Sequence, residues 1–315
     1  MTSALPLPFT VEPLPNTTFG AIVRGVRLAG IDDATFAQLY AVWLEYALLV
    51  FPGQHLTPDE QVAFADRFGP REFELAPISN VLPGGSLRDP EKNDEILRIL
   101  KGNQGWHADS TYMPIQAKAA VFTAHVVPPV GGETEWADMR AAWDALEPAQ
   151  RERLGTLRAH HSIVYGQARM GLAPPAPDGE YVGGYGFEGG PPPLRPLVKI
   201  HPETGRPSLL IGRHAHAIPG LDPAASEALL DELVEFACRP PRVYRHAWAP
   251  GDAVVWDNRC LLHRGMPWDL GQARVMYHAR VKGDPASEAA LEADFSRPAG
   301  RTFVGVEAQI DGRGE

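Results

Sequence analysis

This chain of 315 residues has only two cysteines, no long apolar run and no excess of positive charge. Its two cysteines, Cys238 and Cys260, cannot build a disulfide framework, which favours a reducing compartment. No apolar run reaches the ~18–20 residues that a membrane-spanning helix needs. Lysine and arginine number 29 against 39 acidic residues, a net charge of −10. Electrostatic binding to nucleic acid or to anionic membranes is therefore not expected.

Several common motifs are missing as well. The chain has no Walker loop, no Rossmann glycine pattern and no G-x-S-x-G elbow, which excludes the usual nucleotide-binding and serine-hydrolase classes. Its first ten residues lack a basic segment followed by an apolar stretch, so no secretory signal is predicted. We therefore expect a cytoplasmic protein that binds a small molecule.

Short apolar segments are spread over the sequence from residue 117 to residue 282 and predict strands. They are 117–127, a hairpin over 197–211, 243–248, 253–256 and 274–282. Helices are predicted to begin at Asp32 or Asp33, at the Thr57 capping box, near Asp138 and at Asp222. Strands without repeating βαβ units, accompanied by a few helices, predict a mainly β fold: an antiparallel sandwich or barrel with helical cover.

The chain contains no clear linker, so we predict a single domain over 1–315. Two stretches, at about 71–105 and 166–196, are too long to be simple connections. Loops of this length in a compact domain are commonly lids or binding loops. We therefore expect both to be lid loops inserted into the domain.

The first group of residues suited to chemistry is Trp106-His107-Ala108-Asp109. If this segment is a strand, His107 and Asp109 point to the same side and can present an imidazole and a carboxylate to one point. The H-x-D pattern alone is weak, because a surface strand with two polar residues on its wet face would look the same.

A second group of residues makes the interpretation as a metal site more specific. An apolar strand leads to His263, and Arg274 opens another strand 11 residues later. Two histidines and one carboxylate leave half of an octahedral metal open, as in non-haem Fe(II) oxygenases. A 2-oxo acid and O₂ can occupy the open positions, and an arginine suits the far carboxylate of 2-oxoglutarate. The alternative for His263 is a satisfied core histidine.

These motifs resemble the taurine dioxygenase family of Fe(II)/2-oxoglutarate-dependent oxygenases, which also holds phenoxyacetate-herbicide dioxygenases. The resemblance covers nearly the whole chain. The matching segments are Gly20-Ala-Ile-Val-Arg-Gly-Val, Val50-Phe-Pro-Gly-Gln54, Phe68-Gly-Pro70, Trp106-His-Ala-Asp109, Gly131-Gly-Glu-Thr134, Trp256-Asp-Asn-Arg259 with His263, and Arg274-Val-Met276. It implies a double-stranded β-helix, or jelly roll, with helices outside.

The resemblance also implies roles for particular residues. His107, Asp109 and His263 would bind Fe(II). Thr134, 27 residues after His107, and Arg274 would hold the distal carboxylate of 2-oxoglutarate. The cofactors implied are Fe(II), 2-oxoglutarate as co-substrate and O₂, with ascorbate as a supporting reductant in vitro. Family members tend to be dimers, trimers or tetramers, so we expect a homo-oligomer.

The last strand departs from the family pattern. Family members commonly read Arg-(Leu/Ile)-Met-His-Arg, and the second arginine faces the substrate; here His278 takes that position and Arg280 follows two residues later. The resemblance to the family therefore does not imply that taurine is the substrate. The stretches 109–118, 212–216 and 258–263 resemble the aryloxyalkanoate dioxygenases, particularly those acting on (S)-2-aryloxypropionates.

An anionic substrate of this kind needs a cation for its carboxylate and an apolar wall for its ring. The candidates for substrate binding are Arg213, His214, Arg280, His278, Lys101 and Tyr112. Each has a structural alternative: Arg213 as a solvated hairpin end, Lys101 as an ordinary loop lysine, and Arg280 in a pair with an acid elsewhere on its strand.

The implied reaction hydroxylates the carbon next to the ether oxygen of a 2-aryloxypropionate or an aryloxyacetate. The products are a phenol and a 2-oxo acid or glyoxylate, with succinate and CO₂ from the co-substrate. Three alternatives stay open at this point. They are a family oxygenase of taurine-like sulfonates or other small acids, a non-catalytic jelly-roll metal-binding protein, and a zinc hydrolase.

Overall fold

The computed structural model describes residues 7–92, 94–172 and 192–292. Most of the predicted 166–196 loop lies outside these ranges. The strands are β1 (Thr10–Pro13), β2 (Ala21–Arg24), β3 (Leu48–Phe51), β4 (Ala76–Ser79), β5 (Ala119–Val126), β6 (Thr134–Asp138), β7 (Arg158–His161), β8 (Leu194–Pro196), β9 (Val198–Ile200), β10 (Pro207–Leu209), β11 (Ala215–His216), β12 (Val243–His246), β13 (Ala253–Asp257), β14 (Leu261–Gly265) and β15 (Val275–Val281). The helices are α1 (Asp33–Tyr46), α2 (Pro58–Asp66), α3 (Glu95–Gly102), α4 (Met139–Asp144), α5 (Pro148–Gly155), α6 (Ile163–Arg169), α7 (Pro223–Ala237) and α8 (Pro285–Glu288).

Seven strands form the main sheet, in the order β1-β2-β3-β13-β5-β15-β4. All neighbours are antiparallel except β2 and β3, which are parallel. The central strands are continuous apolar runs because both of their faces are covered. This arrangement confirms the mainly β fold predicted from the sequence.

A smaller sheet, β12-β6-β14, packs against one face of the main sheet. Trp136 of β6 and Trp256 of β13 meet between the two sheets, with ring centroids 5.7 Å apart. Two facing antiparallel sheets with helices outside are the layers of a jelly roll. The hairpin predicted over 197–211 is also present, as β9 paired with β10.

Helices α1 and α2 cover the other face of the main sheet. Both begin where the sequence predicts: the Asp32 side chain accepts from the Thr35 N–H, and Thr57 forms a capping box with Glu60. Their buried aromatic side chains form one cluster around Phe68, whose ring centroid lies 5.1 Å from that of Phe36. No helix among residues 7–92, 94–172 and 192–292 is long and apolar enough to cross a membrane.

Some elements differ from the sequence-based prediction. The helix predicted to begin near Asp138 and to run through Leu146 ends at Asp144, as α4. A second helix, α5, begins at Pro148, where the proline indicates a restart. The predicted 71–105 loop contains β4 and α3. Helix α3 is only eight residues long, and turn-forming residues precede it, so its apolar periodicity is short and easily missed.

Candidate active site

His107 and His263 are brought together by a two-way backbone bridge between β14 and the segment that contains His107. The His107 N–H donates to the His263 carbonyl at 3.0 Å, and the His263 N–H donates to the His107 carbonyl at 2.7 Å. The segment around His107 makes only this isolated bridge, and Asp109 begins a turn. The segment is therefore not the strand that was considered for His107 and Asp109, and Ser110, which follows, takes a left-handed φ of 57°.

The three side chains nevertheless converge. One ligand atom each from His107, Asp109 and His263 lies within 4.8 Å of the others, and all three residues are buried. The Nδ1 atom of His107 lies 2.7 Å from the Gly105 carbonyl oxygen, which can only accept. His107 therefore carries its proton on Nδ1 and keeps the lone pair on Nε2, as a metal ligand requires.

Electrostatics also suits these groups to a cation. Burial holds the pKa of His107 well below its usual value and lowers the pKa of His263 to about 4, so both imidazoles are neutral at neutral pH. Burial alone would raise the pKa of Asp109, but the charge of Arg280, followed by smaller contributions from His263 and His278, holds it well below the usual value. Two neutral imidazoles and a carboxylate form the donor set of a non-haem Fe(II) site.

Asn258 orients the carboxylate of Asp109. Its Nδ2 donates to Asp109 Oδ2 at 3.1 Å, and its Oδ1 accepts from the Asp109 N–H at 3.1 Å. The indole N–H of Trp256 donates to the same Oδ1 at 3.0 Å, which fixes the amide orientation. The strand end that supplies Trp256 therefore positions the carboxylate by hydrogen bonds.

Arg274 and Thr134 lie in the same cavity. The Arg274 side chain is buried, and no carboxylate among the described residues forms an ion pair with it. Burial lowers the pKa of Arg274 to about 10. A buried guanidinium in this state is a ready site for an anion. Thr134 accepts at Oγ1 from the Trp248 indole at 3.0 Å, which leaves its hydroxyl hydrogen available to a ligand.

Two residues lie next to Arg274 and help to position it, and neither was identified as functional from the sequence. Asn80 accepts from the Arg274 N–H at 2.8 Å. Gly132 has a φ of +73° and passes so close that a Cβ there would lie 3.1 Å from Arg274 Nε. The Gly131-Gly132 pair in the sequence was a usable signal for this close approach, whereas nothing in the sequence points to Asn80.

The cavity around these groups is also lined by apolar side chains. They include Phe73, Ile78, Ile99, Leu100, Ile163 and Trp268. Phe73, Ile78, Ile99 and Leu100 come from the 71–105 stretch. This part of the predicted lid therefore does border the cavity, although whether it moves stays a prediction.

Of the six substrate-binding candidates, five line the cavity and one does not. Arg213, His214, His278, Arg280 and Tyr112 border it. Lys101 is exposed on α3 and is not among the lining residues.

Arg213 passes through a space that only glycine leaves open. A Cβ at Gly105 would lie 2.9 Å from Arg213 Cδ, and one at Gly102 would lie 3.0 Å from Nη1. Nη1 donates to the Gly102 carbonyl, and Nη2 lies 3.4 Å from Asn103 Oδ1. Its neighbour His214 is buried, with its ring centroid 4.8 Å from that of Tyr112.

The two candidates on β15 face Asp109. Arg280 Nη2 lies 2.8 Å from Asp109 Oδ1, and His278 Nε2 lies 3.5 Å from Oδ2. His278 also stacks on Trp256 at 5.6 Å with nearly parallel rings. Arg280, one of the two arginines that the sequence offered for the substrate, is thus paired with a carboxylate of the protein, and this carboxylate lies outside the strand of Arg280.

The fold and this site define an α-ketoglutarate-dependent dioxygenase. The family model described as "Taurine catabolism dioxygenase TauD, TfdA family" matches residues 10–280, and the chain belongs to this family. Enzymes of this kind use Fe(II), 2-oxoglutarate and O₂, and the His-Asp-His group has the matching donor set.

Individual relatives show which members of the family the chain is similar to. The chain is 65% identical over 283 residues to the (S)-phenoxypropionate/alpha-ketoglutarate-dioxygenase of Sphingobium herbicidovorans, covering 90% of this chain and 98% of that protein. It is 39% identical to the alpha-ketoglutarate-dependent 2,4-dichlorophenoxyacetate dioxygenase of Cupriavidus pinatubonensis, over 76% of this chain and 86% of that protein. The crystal structure of AAD-2 in complex with Mn(II) and N-oxalylglycine superposes with a TM-score of 0.81 at 35% identity, over 90% of this chain and 99% of that one.

Proposed function

We propose that this dioxygenase acts on aryloxyalkanoates and hydroxylates the carbon next to the ether oxygen. A 2-aryloxypropionate would give a phenol and pyruvate, an aryloxyacetate would give a phenol and glyoxylate, and 2-oxoglutarate would become succinate and CO₂. The observation that carries the proposal is the 65% identity, along 90% of the chain, to an (S)-phenoxypropionate dioxygenase.

His107, Asp109 and His263 are the proposed iron ligands. Their burial, neutral imidazoles and converging ligand atoms support this role. Fe(II) held by these residues, together with 2-oxoglutarate and O₂, would supply the oxidising power for hydroxylation of a C–H bond. The protein's part is to orient the ligands, through Gly105 and Asn258, and to position the substrate.

Arg274 and Thr134 are the proposed binding site for the distal carboxylate of 2-oxoglutarate. Arg274 is a buried cation whose charge no described carboxylate compensates, and Thr134 lies in the same cavity. A dianionic co-substrate would compensate that charge, and a guanidinium can hold a carboxylate with two parallel hydrogen bonds.

The net charge of the residues that line the cavity also supports an anionic substrate. Its charged lining residues are Asp109, Arg213, Arg274 and Arg280, and burial keeps the lining histidines neutral. The lining therefore has two more positive charges than negative ones, and the iron adds two more. A dianion and a monoanion would together offset most of this excess, whereas a neutral substrate would leave it buried.

Arg213, assisted by His214, is the proposed anchor of the substrate carboxylate. Arg274 is assigned to the co-substrate and Arg280 is paired with Asp109, and Arg213 is the third arginine that lines the cavity. The aryl ring would then pack on apolar side chains such as Phe73, Ile99 and Ile163. Anchoring the carboxylate fixes which C–H bond faces the iron, and hydroxylation there makes a hemiacetal-type carbon that splits off the phenol.

A substrate panel tests the proposal. The enzyme with Fe(II), 2-oxoglutarate and ascorbate is assayed for phenol release from each enantiomer of a 2-aryloxypropionate and from an aryloxyacetate, and for succinate release with taurine. We expect phenol release, and turnover of taurine alone would overturn the proposal. Arg213→Gln should raise the KM for the aryloxyalkanoate, while Lys101→Gln, the matched control outside the cavity, should leave it unchanged.

We further propose a single-domain, cytoplasmic homo-oligomer. Cys238 and Cys260 are free thiols, which suits a reducing compartment. Size-exclusion chromatography with light scattering should give a mass that is a multiple of 34.3 kDa, and a monomer at working concentrations would contradict the assembly.

A further inference from the structure

Arg280 makes more contacts than a substrate anchor would require. Besides the contact of Nη2 with Asp109 at 2.8 Å, its Nη1 donates to Ser110 Oγ at 3.1 Å. The guanidinium carbon lies 4.9 Å from the centroid of the Phe73 ring. The side chain is only 12% exposed, so water screens these contacts weakly.

Ser110 extends the contact to a second carboxylate. Its hydroxyl donates to Glu72 Oε2 at 2.7 Å, and its oxygen accepts from Arg280. Ser110 is fully buried, and its left-handed φ of 57° turns its side chain out of the line of His107 and Asp109. The charge of Arg280 is thereby shared between Asp109, directly, and Glu72, through one hydroxyl group.

A guanidinium on a metal-binding carboxylate alters the metal as well as the carboxylate. It withdraws electron density from the oxygens, and its positive charge lies close to the metal. Both effects disfavour the more highly charged oxidation state, because hydrogen bonds and charges around the ligands tune the potential of a bound metal. Glu72 counteracts this effect, because it attracts the same guanidinium from the opposite side.

We propose that Arg280 is a positioning residue that holds the Asp109 carboxylate and stabilises Fe(II) relative to Fe(III), and that Glu72, through Ser110, weakens this stabilisation. The process concerned is the one-electron couple, in which Fe(III) gains one electron to become Fe(II). The inference rests on the proposed function, in which Asp109 binds iron, and it assigns Arg280 to the metal side of the cavity rather than to the substrate.

The test uses the full-length enzyme with Fe(II) and 2-oxoglutarate under anaerobic conditions, without substrate. The readouts are the visible charge-transfer band and the midpoint potential of the bound iron. Arg280→Gln keeps a hydrogen-bond donor and removes the charge, so it should move the band to longer wavelength and lower the potential. Arg280→Lys, which restores a charge, should return both part of the way to wild type.

Glu72→Gln gives an independent check with the opposite sign. Glu72 is only half-buried, so this near-isosteric change should leave the fold intact. It should move the band to shorter wavelength and raise the potential, because the negative charge of Glu72 no longer attracts Arg280. If Arg280→Gln fails to bind iron, the sign of the Glu72→Gln shift decides the question.

Two results would overturn the inference. One is an Arg280→Gln enzyme whose band and potential match wild type while its KM for the aryloxyalkanoate rises, the behaviour of a substrate anchor. The other is a Glu72→Gln shift that is absent or has the same sign as that of Arg280→Gln. A wild-type enzyme without any charge-transfer band would instead contradict the iron assignment itself, so failure of the proposed function is recognised separately.

Discussion

The two faces of the main sheet differ in what they bury. On β15, Ala279 and Val281 face the helices α1 and α2, whereas His278 and Arg280 face the cavity. The outer face packs apolar and aromatic groups against each other. The inner face buries imidazoles, a carboxylate and guanidinium groups.

Within one strand, residues on the outer face therefore contribute to stability, whereas residues on the inner face contribute to function. Aromatic edge-to-face packing around Phe68 on the outer face stabilises the fold through burial and contact. Charges on the inner face cost desolvation energy, and an unpaired one such as Arg274 recovers it only when an anion binds. Substitutions on the outer face should therefore change stability, and those on the inner face should change binding and turnover.

The largest expected effect is on the inner face. His107→Ala should reduce 2-oxoglutarate-dependent succinate release to background, because only two of the three proposed iron ligands would remain. Fe(II) binding, followed by the charge-transfer band, should be lost with it. The matched control is His160→Ala, which removes a half-buried histidine outside the cavity. Full activity in His107→Ala would contradict the site.

On the outer face, Phe64→Ala should lower the free energy of unfolding by about 3–5 kcal/mol, because a buried aromatic ring of α2 leaves a cavity. The kcat of the enzyme that remains folded should match wild type. Chemical denaturation and active-site titration measure the two quantities. A large drop in kcat without loss of stability would show that the faces are not separable.

Arg274→Met tests the buried cation for which the described residues provide no carboxylate partner. The KM for 2-oxoglutarate should rise by about 30-fold or more, since loss of a buried charged partner costs roughly 2 kcal/mol or more. The melting temperature of the metal-free protein should not fall, because the variant no longer buries an uncompensated cation. Arg274→Lys should lose less affinity than Arg274→Met. An unchanged KM would remove Arg274 from the co-substrate site.

The smallest effect concerns the sensitivity of the fold to acid. His161 is fully buried, its ring nitrogens have no hydrogen-bond partner among the described residues, and burial holds its pKa well below 6.5. It is neutral in the folded state but protonates in the unfolded state below about pH 6.5, so stability falls as the pH drops from there.

Denaturation at pH 7.5 and 5.5 measures this contribution. In His161→Leu, the loss of stability between the two pH values should be smaller than in wild type by about 1.4 kcal/mol, since the linkage slope is about that per pH unit. An equal loss in both proteins would mean that His161 is protonated or solvated in the folded state.

Local chemistry explains which features could be predicted. The caps at Asp32 and Thr57 depend on neighbouring residues, and both were confirmed. The alternation of β15 could likewise be predicted, since a strand places every second residue on one face. The geometry at Asp109 could not, because the left-handed Ser110 is stabilised by contacts with Arg280 and Glu72, which are remote in sequence.

By itself, the sequence determined the family, the jelly-roll class and the identity of the His107, Asp109 and His263 group, because these depend on residue types at fixed spacing. Only the tertiary structure decided what each basic residue does. It pairs Arg280 with Asp109. It packs the Arg213 side chain against Gly102 and Gly105, and it places Lys101 on the exposed surface. Long side chains with the same charge look equivalent in a sequence, and the partner that each one reaches is set by distant segments of the fold.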